Sequence, residues 1–138
     1  MNIIEAQSAS KFALVTKKPN STVKYKVTIP GHDGKRYMVL LRRISGGYTG
    51  ECLLDAGALG TPAVCLSATK STNGACYHIG AALLAVASQA GYKLAFCQSE
   101  AAAKRLRNLH NSIMLRYARH NGSKVEWAVV YKKETSSA

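Results

Sequence analysis

Asn73-Gly74-Ala75-Cys76-Tyr77-His78-Ile79-Gly80-Ala81-Ala82-Leu83-Leu84 leads from a polar, glycine-containing loop into an apolar helix. Cys76 and His78 lie two positions apart at that junction, before a first helical turn has closed, so alternate side chains can point the same way. A thiolate and an imidazole offered together are half of a tetrahedral zinc site. Cys52 and Cys65, upstream, can supply the other half, giving the spacing Cys-x12-Cys-x10-Cys-x-His over Cys52, Cys65, Cys76 and His78. Three thiolates and one imidazole form a closed set, suited to a structural Zn2+ with no position left for substrate. Buried free cysteines are common for packing reasons alone. That is the reading of Cys97 in Leu94-Ala95-Phe96-Cys97, which becomes the fourth ligand only if Cys52 is not one.

The helix opened by this stretch is expected over about Ala75 to Ala90. It is apolar on all sides, so it should be buried against a sheet, with Thr72 or Asn73 as its N-cap and Gly91 as its stop. Val23, Tyr25, Val27 and Ile29 alternate with Lys24, Lys26 and Thr28, the period-two pattern of a half-buried strand. Pro30 to Gly34 supplies a turn, with His32 exposed on it, and Arg36 to Ile44 reads as the returning strand. Tyr48 to Leu54 is expected as a third strand carrying Cys52, and Ala63 to Ala68 as a short fourth carrying Cys65. The first stretch, Asn2 to Lys17, fits either a short helix or an irregular arm leading into a strand near Phe12 to Val15.

Beyond Gly91, Tyr92 to Cys97 can form another strand. Ser99 is a good N-cap, with Glu100 in the first turn where the helix dipole favours a carboxylate. A second helix is expected from about Glu100 to His120. Ala102, Leu106, Leu109, Ile113 and Tyr117 form its apolar stripe, while Lys104, Arg105, Arg107, Arg116 and Arg119 fall outside it, with Leu115 alone on the polar arc. Asn121-Gly122 ends it, and Lys124 to Lys132 is a final strand. The fold class is therefore α+β, a small antiparallel sheet packed against two helices with a structural zinc site at the sheet–helix junction. One domain is expected over 1–138, with a zinc-binding core at 36–90 and a basic amphipathic helix at 98–121.

The Cys-x-His half resembles the SWIM-type zinc finger, a ββα module with the ligand pattern Cys-x-Cys, a variable gap, then Cys-x-His. The resemblance spans about Arg36 to Gln89 and includes Cys76-Tyr77-His78 opening a helix. Where the family has Cys-x-Cys, this chain has Cys65-Leu66-Ser67. Such modules occur in DNA-associated proteins and in protein–protein contacts, so the resemblance implies one or the other.

Charge favours the first. Nineteen Lys+Arg against 7 Asp+Glu leave a formal +12, while hydrophobic residues make up 47% of the 138, which excludes a disordered chain. A globular body with that surplus attracts polyanions. Lys24, Lys26, Lys35, Arg36, Arg42 and Arg43 decorate the first hairpin, and Lys104, Arg105, Arg107, Arg116 and Arg119 line the last helix. Tyr48, beside Gly46-Gly47, is the best candidate for stacking on an unpaired base. The partner is read as DNA or RNA, held through phosphates without strong sequence specificity, because no base-reading motif is visible. An adaptor or inhibitor docking on an acidic protein partner is the competing reading. No Walker-type loop and no His-x-Glu with Cys-x-x-Cys of the deaminases is present, so catalysis is not expected. With no secretory signal and no apolar run long enough to span a bilayer, a soluble cytoplasmic protein without membrane contact is expected.

Overall fold

The computed structural model describes residues 1–31, 34–55, 63–65, 74–110 and 112–132. Alternating strands build its first half. β1 (Leu14–Lys17), β2 (Val23–Pro30), β3 (Arg36–Ile44) and β4 (Gly47–Asp55) pair antiparallel in sequence order, and β5 (Ala63–Val64) adds to the far side of β4. Val27, Ile29, Val39, Leu41 and Cys52 form the buried face of this meander. Lys26, Thr28, Met38 and Arg42 alternate with them on the opposite, outer face, because successive side chains of a strand point to opposite sides.

A helix packs on the buried face. α2 (Tyr77–Gln89), the second helix after α1 (Ile3–Ser10), contains seven buried residues, including His78, Ile79, Gly80, Ala81 and Ala82. Its all-round apolarity is what a helix enclosed between sheet and helix requires. α1 covers its other side, capped by Asn2, whose Oδ1 accepts a hydrogen bond from Glu5 N–H at 3.1 Å. Gly80 permits the crossing: a Cβ there would meet Met1 Sδ and lie 3.2 Å from Ala6 Cβ. Gly50 does the same on the sheet side, where a Cβ would stand 2.8 Å from Ile79 Cγ2. Gly50→Ala should therefore force Ile79 off its seat and cost about 1–3 kcal/mol, read as a lower denaturant midpoint with an unchanged m-value.

The second half departs from the expected helix over 98–121. α3 (Glu100–His110) starts as expected, with Ser99 Oγ accepting from Ala102 N–H at 3.1 Å. It stops at His110, and Ile113–Arg119 is strand β7. The supposed helical stripe splits: Leu109 and Ile113 are 77% and 67% exposed, while Tyr117 is buried in the sheet. Two forces override the helical spacing. Asn111 and Ser112 have the side chains that favour turns over helix, and two strands wait to pair. β7 runs parallel to β4, Gly47 opposite Arg116 through Gly50 opposite Arg119, and antiparallel to β8 (Val125–Lys132). Asn121, at φ 61°, makes the β7–β8 turn instead of ending a helix. β6 (Tyr92–Cys97) pairs with the other edge of β8.

The sheet is consequently larger than the small antiparallel one expected. Its described strands number eight, in the order β1-β2-β3-β4-β7-β8-β6 with β5 on β4, and the three described helices pack on it. Leu94, Phe96, Leu115, Tyr117 and Ala128 continue the α2 core into this half, with Phe96 and Tyr117 edge to face at 5.6 Å. Leu115 thus faces the core, not a polar arc. Val129, next to Ala128, points the other way and is still fully buried, because α3 lies over β8, β7 and β6 on the outer face. Among the described residues no helix is long and apolar enough to cross a membrane.

Candidate metal centre and cationic face

Three chain segments converge where the β4–β5 edge meets the start of α2. Cys52 lies on β4 and Cys65 directly follows β5, and the Cys65 N–H donates to the Cys52 carbonyl at 3.1 Å. The two thiols therefore meet across paired strands. Cys76 is the N-cap residue of α2, extended at φ −77° and ψ 168°, and its side chain makes no capping hydrogen bond, which leaves Sγ available. The backbone before it is held instead by Glu126 of β8, whose Oε2 accepts from Ala75 N–H at 2.9 Å. The caps expected from sequence, Thr72 and Asn73, lie outside the described residues, as do His32 and Leu66 to Ala68 of the expected fourth strand.

The donor atoms of Cys52, Cys65, Cys76 and His78 all lie within 4.8 Å of one another, and all four residues are buried. His78 Nδ1 stands 3.5 Å from Cys65 Sγ and 3.9 Å from Cys76 Sγ. A tetrahedral ion about 2.3 Å from sulfur and 2.0–2.1 Å from nitrogen spaces such donors about 3.6–3.8 Å apart. The four residues can thus hold a metal ion, and the two imidazole–thiol separations lie close to that spacing. Cys97 is not among them; its thiol points to the Ala95 carbonyl at 3.7 Å, on the face away from α2.

Two rings fix the imidazole, and of these the sequence offered Tyr37 only as a base-stacking candidate beside Tyr25 and Tyr48. Tyr37 of β3 stacks on His78 with centroids 3.9 Å apart and planes at 22°, and Tyr77 lies 4.0 Å away at 34°. Tyr37 was legible as the inward residue before Val39, but nothing local tied it to His78. With Nδ1 turned to the sulfurs, Nε2 is buried and has no hydrogen-bond partner among the described residues.

Without an ion the cluster is uncomfortable for negative charge. Hydrogen bonds with Cys65 and then Cys76, followed by burial, drive the Cys52 thiol far above the ordinary thiol range. A hydrogen bond with Cys52 lowers Cys76, but Cys65 and burial outweigh it and push that thiol up to about 11. A bound cation inverts this logic, because a coordinating thiol is deprotonated outright.

The cations named from sequence fall in two groups. Lys26, Arg36 and Arg42 share the outer face of β2 and β3. Arg42 is bound to Glu51 at 3.1 Å, an ion pair on a partly exposed surface. Arg105 is exposed on α3, Arg107 half-buried there, and Lys104 pairs with Glu100 at 3.6 Å. Arg116, on β7 and not on a helix, projects from the outer face with Nε buried and unpartnered among the described residues. Arg119 follows at the strand end, and Lys35 precedes Arg36 as an exposed residue. Arg43 and Lys24 lie elsewhere, around Tyr48 at the end of the meander. Tyr48 is half-buried, edge to face with Tyr25 at 6.1 Å and with the Arg43 guanidinium 5.9 Å from its centroid. Burial first, and Tyr25 second, hold its hydroxyl above the usual tyrosine range.

Fold and cluster define an α+β domain with a four-residue Cys/His cluster at the joint between sheet and helix. No family model matches the chain, and no curated protein or solved structure matches it.

Proposed function

We propose that the chain is a small, zinc-stabilised, non-catalytic nucleic-acid-binding protein, holding DNA or RNA through phosphate contacts without strong sequence preference. The observation that carries the reading is the sharing of one sheet face by Lys26, Arg36, Arg42 and Arg116, with Arg105 exposed on α3, the helix that packs over β7 and β8. Cations spread along one face can each neutralise a phosphate and release its counterion. Zinc is the ion that best suits three thiolates and an imidazole in a closed site, and its part is to pin α2 to the β4–β5 edge. The likeness to SWIM-type fingers supports this on the Cys-x-His side only. Cys76 and His78 open a helix, whereas Cys52 and Cys65 come from paired strands.

The test is fluorescence anisotropy with an oligonucleotide of arbitrary sequence over a salt series. With about five phosphates engaged, log K should fall with log[salt] at a slope of about −4. The double variant Lys26→Glu/Arg105→Glu should weaken binding at least about tenfold and flatten that slope. Absence of binding at low salt would instead favour docking on an acidic protein partner. One feature suits that second reading: Leu109 and Ile113 are 77% and 67% exposed near the basic residues of α3.

A further inference from the structure

The meander ends in a recess of about 170 Å3 lined by Lys17, Pro19, Lys24, Tyr25, Arg43 and Tyr48. Local structure explains why these residues meet. Lys17 pairs with Tyr25 at the end of the β1–β2 ladder, and Arg43 pairs with Tyr48 on β3 and β4. A register shift between Val23 and Tyr25 breaks the β2–β3 alternation, so Lys24 joins the same rim. The chain crosses back there, with Lys18 N–H donating to the Lys24 carbonyl at 2.8 Å and Lys24 Nζ reaching the Pro19 carbonyl at 3.5 Å.

Three cations therefore surround two aromatic rings, and no carboxylate lines the recess among the described residues. Gathering like charges without an acid costs self-repulsion, which an anion relieves. A bare anion gives no use to the rings, and an uncharged ring gives none to the cations. The recess is also smaller than pockets that enclose whole ligands, about 300–1,000 Å3, so it suits one planar group laid at its mouth. We propose that it takes an unpaired nucleotide of a single strand, the base against Tyr48 and the phosphate among Lys17, Lys24 and Arg43. In a duplex the base faces are already stacked, so the site selects single strands. This inference rests on the nucleic-acid reading above and adds the form of nucleic acid to it.

The experiment compares a labelled oligothymidine strand, a duplex of equal length and free dTMP at one salt concentration. The single strand should bind at least about tenfold tighter than the duplex, and free dTMP should compete only at far higher concentration. Tyr48→Leu should weaken single-strand binding about 5- to 150-fold, the value of one stacked base, and leave duplex binding within twofold. Tyr48→Phe should retain it, and Lys17→Glu, on an exposed side chain, should weaken it with Tyr48 intact. Photocrosslinking of a bromodeoxyuridine strand should label Tyr48 or Tyr25. Equal affinity for both forms, with Tyr48→Leu neutral and the crosslink elsewhere, overturns the site and leaves the cationic-face reading standing. Competition by dTMP as strong as by the strand overturns it in favour of a free-nucleotide site. No binding to any of the three removes both proposals.

Discussion

Stripping the proposed zinc from the protein with a chelator should lower its melting temperature by about 15–20 °C, equivalent to a loss of about 5 kcal/mol in a chain of this size. Zinc held by such ligands contributes folding free energy directly, about 10–16 kcal/mol in isolated finger peptides. The loss is smaller here because Val27, Ile29, Val39, Leu41 and Ile79 are fully buried independently of the ion. Cys76→Ser should reproduce the drop, and added Zn2+ should restore the stripped wild type but not the variant. Elemental analysis of protein purified without added metal should return about one zinc per chain. Less than a tenth of that, together with a melt indifferent to chelator, would remove zinc from the account.

The pH dependence gives this prediction a second, sign-based check. In the metal-free protein the raised thiols contribute stability below their ordinary value of 9.0, and lose it as pH climbs through the Cys76 value of about 11. The unfolded chain releases those protons first, so stability falls with rising pH. In the zinc-loaded protein the thiolates are already deprotonated, and protons compete with the ion for sulfur and imidazole, so stability falls with falling pH. After chelation the melting temperature should therefore stay level up to about pH 9 and fall between about pH 9 and 11, whereas before chelation it should fall as the pH is lowered toward 5. Parallel slopes would mean that the ion does not sit on the cysteines.

How legible these elements are in the sequence depends on how far away their partners lie. α2 declared itself, because a helix apolar on every side has only the interior to go to. The β2–β3 hairpin did too, through strict alternation across Pro30 and Gly34. Ile113 to Arg119 did not, since Leu109, Ile113 and Tyr117 satisfy a helical spacing, and the choice of strand was made by β4 and β8. The parallel pairing with Gly47 bridges a sequence separation that no local window contains. The cluster divided along the same line. Cys76 and His78 were adjacent and legible, whereas the meeting of Cys52 with Cys65 needed the register of a two-residue strand, Ala63–Val64. Charge was countable from composition, but its sorting onto the outer face or around Tyr48 follows strand parity and the irregularity beside Lys24.

That long-range pairing concentrates at one atom, and Gly47→Ala should be the most damaging glycine-to-alanine change among the described residues. Gly46 and Gly47 look alike as a turn signal, yet they are required for different reasons. Gly46 has φ 77° and open space around it, so Gly46→Ala meets only the left-handed backbone penalty of about 1 kcal/mol. Gly47 is in ordinary strand geometry, but a Cβ there would be driven into the Arg116 carbonyl group of β7. No side-chain rotation relieves that, because both atoms belong to paired backbones, and β4 or β7 must move away. β4–β7 is the ladder that joins the β1–β4 meander to β7, β8 and β6. Its flanking bonds, Arg116 N–H to the Gly46 carbonyl at 2.9 Å and His120 N–H to the Gly50 carbonyl at 2.8 Å, would be lost with it. Overpacking against backbone in a buried sheet belongs to the exceptional class of substitutions above about 4 kcal/mol. Denaturant titration should place Gly47→Ala at least about 3 kcal/mol below Gly46→Ala, with hydrogen exchange of the β7 amides accelerated ahead of those in β2 and β3. Equal stability of the two variants would mean that β4 and β7 are not paired as described. In that case Tyr117 and Leu115 would lose their place in the core, and the helical reading of 113–119 would return.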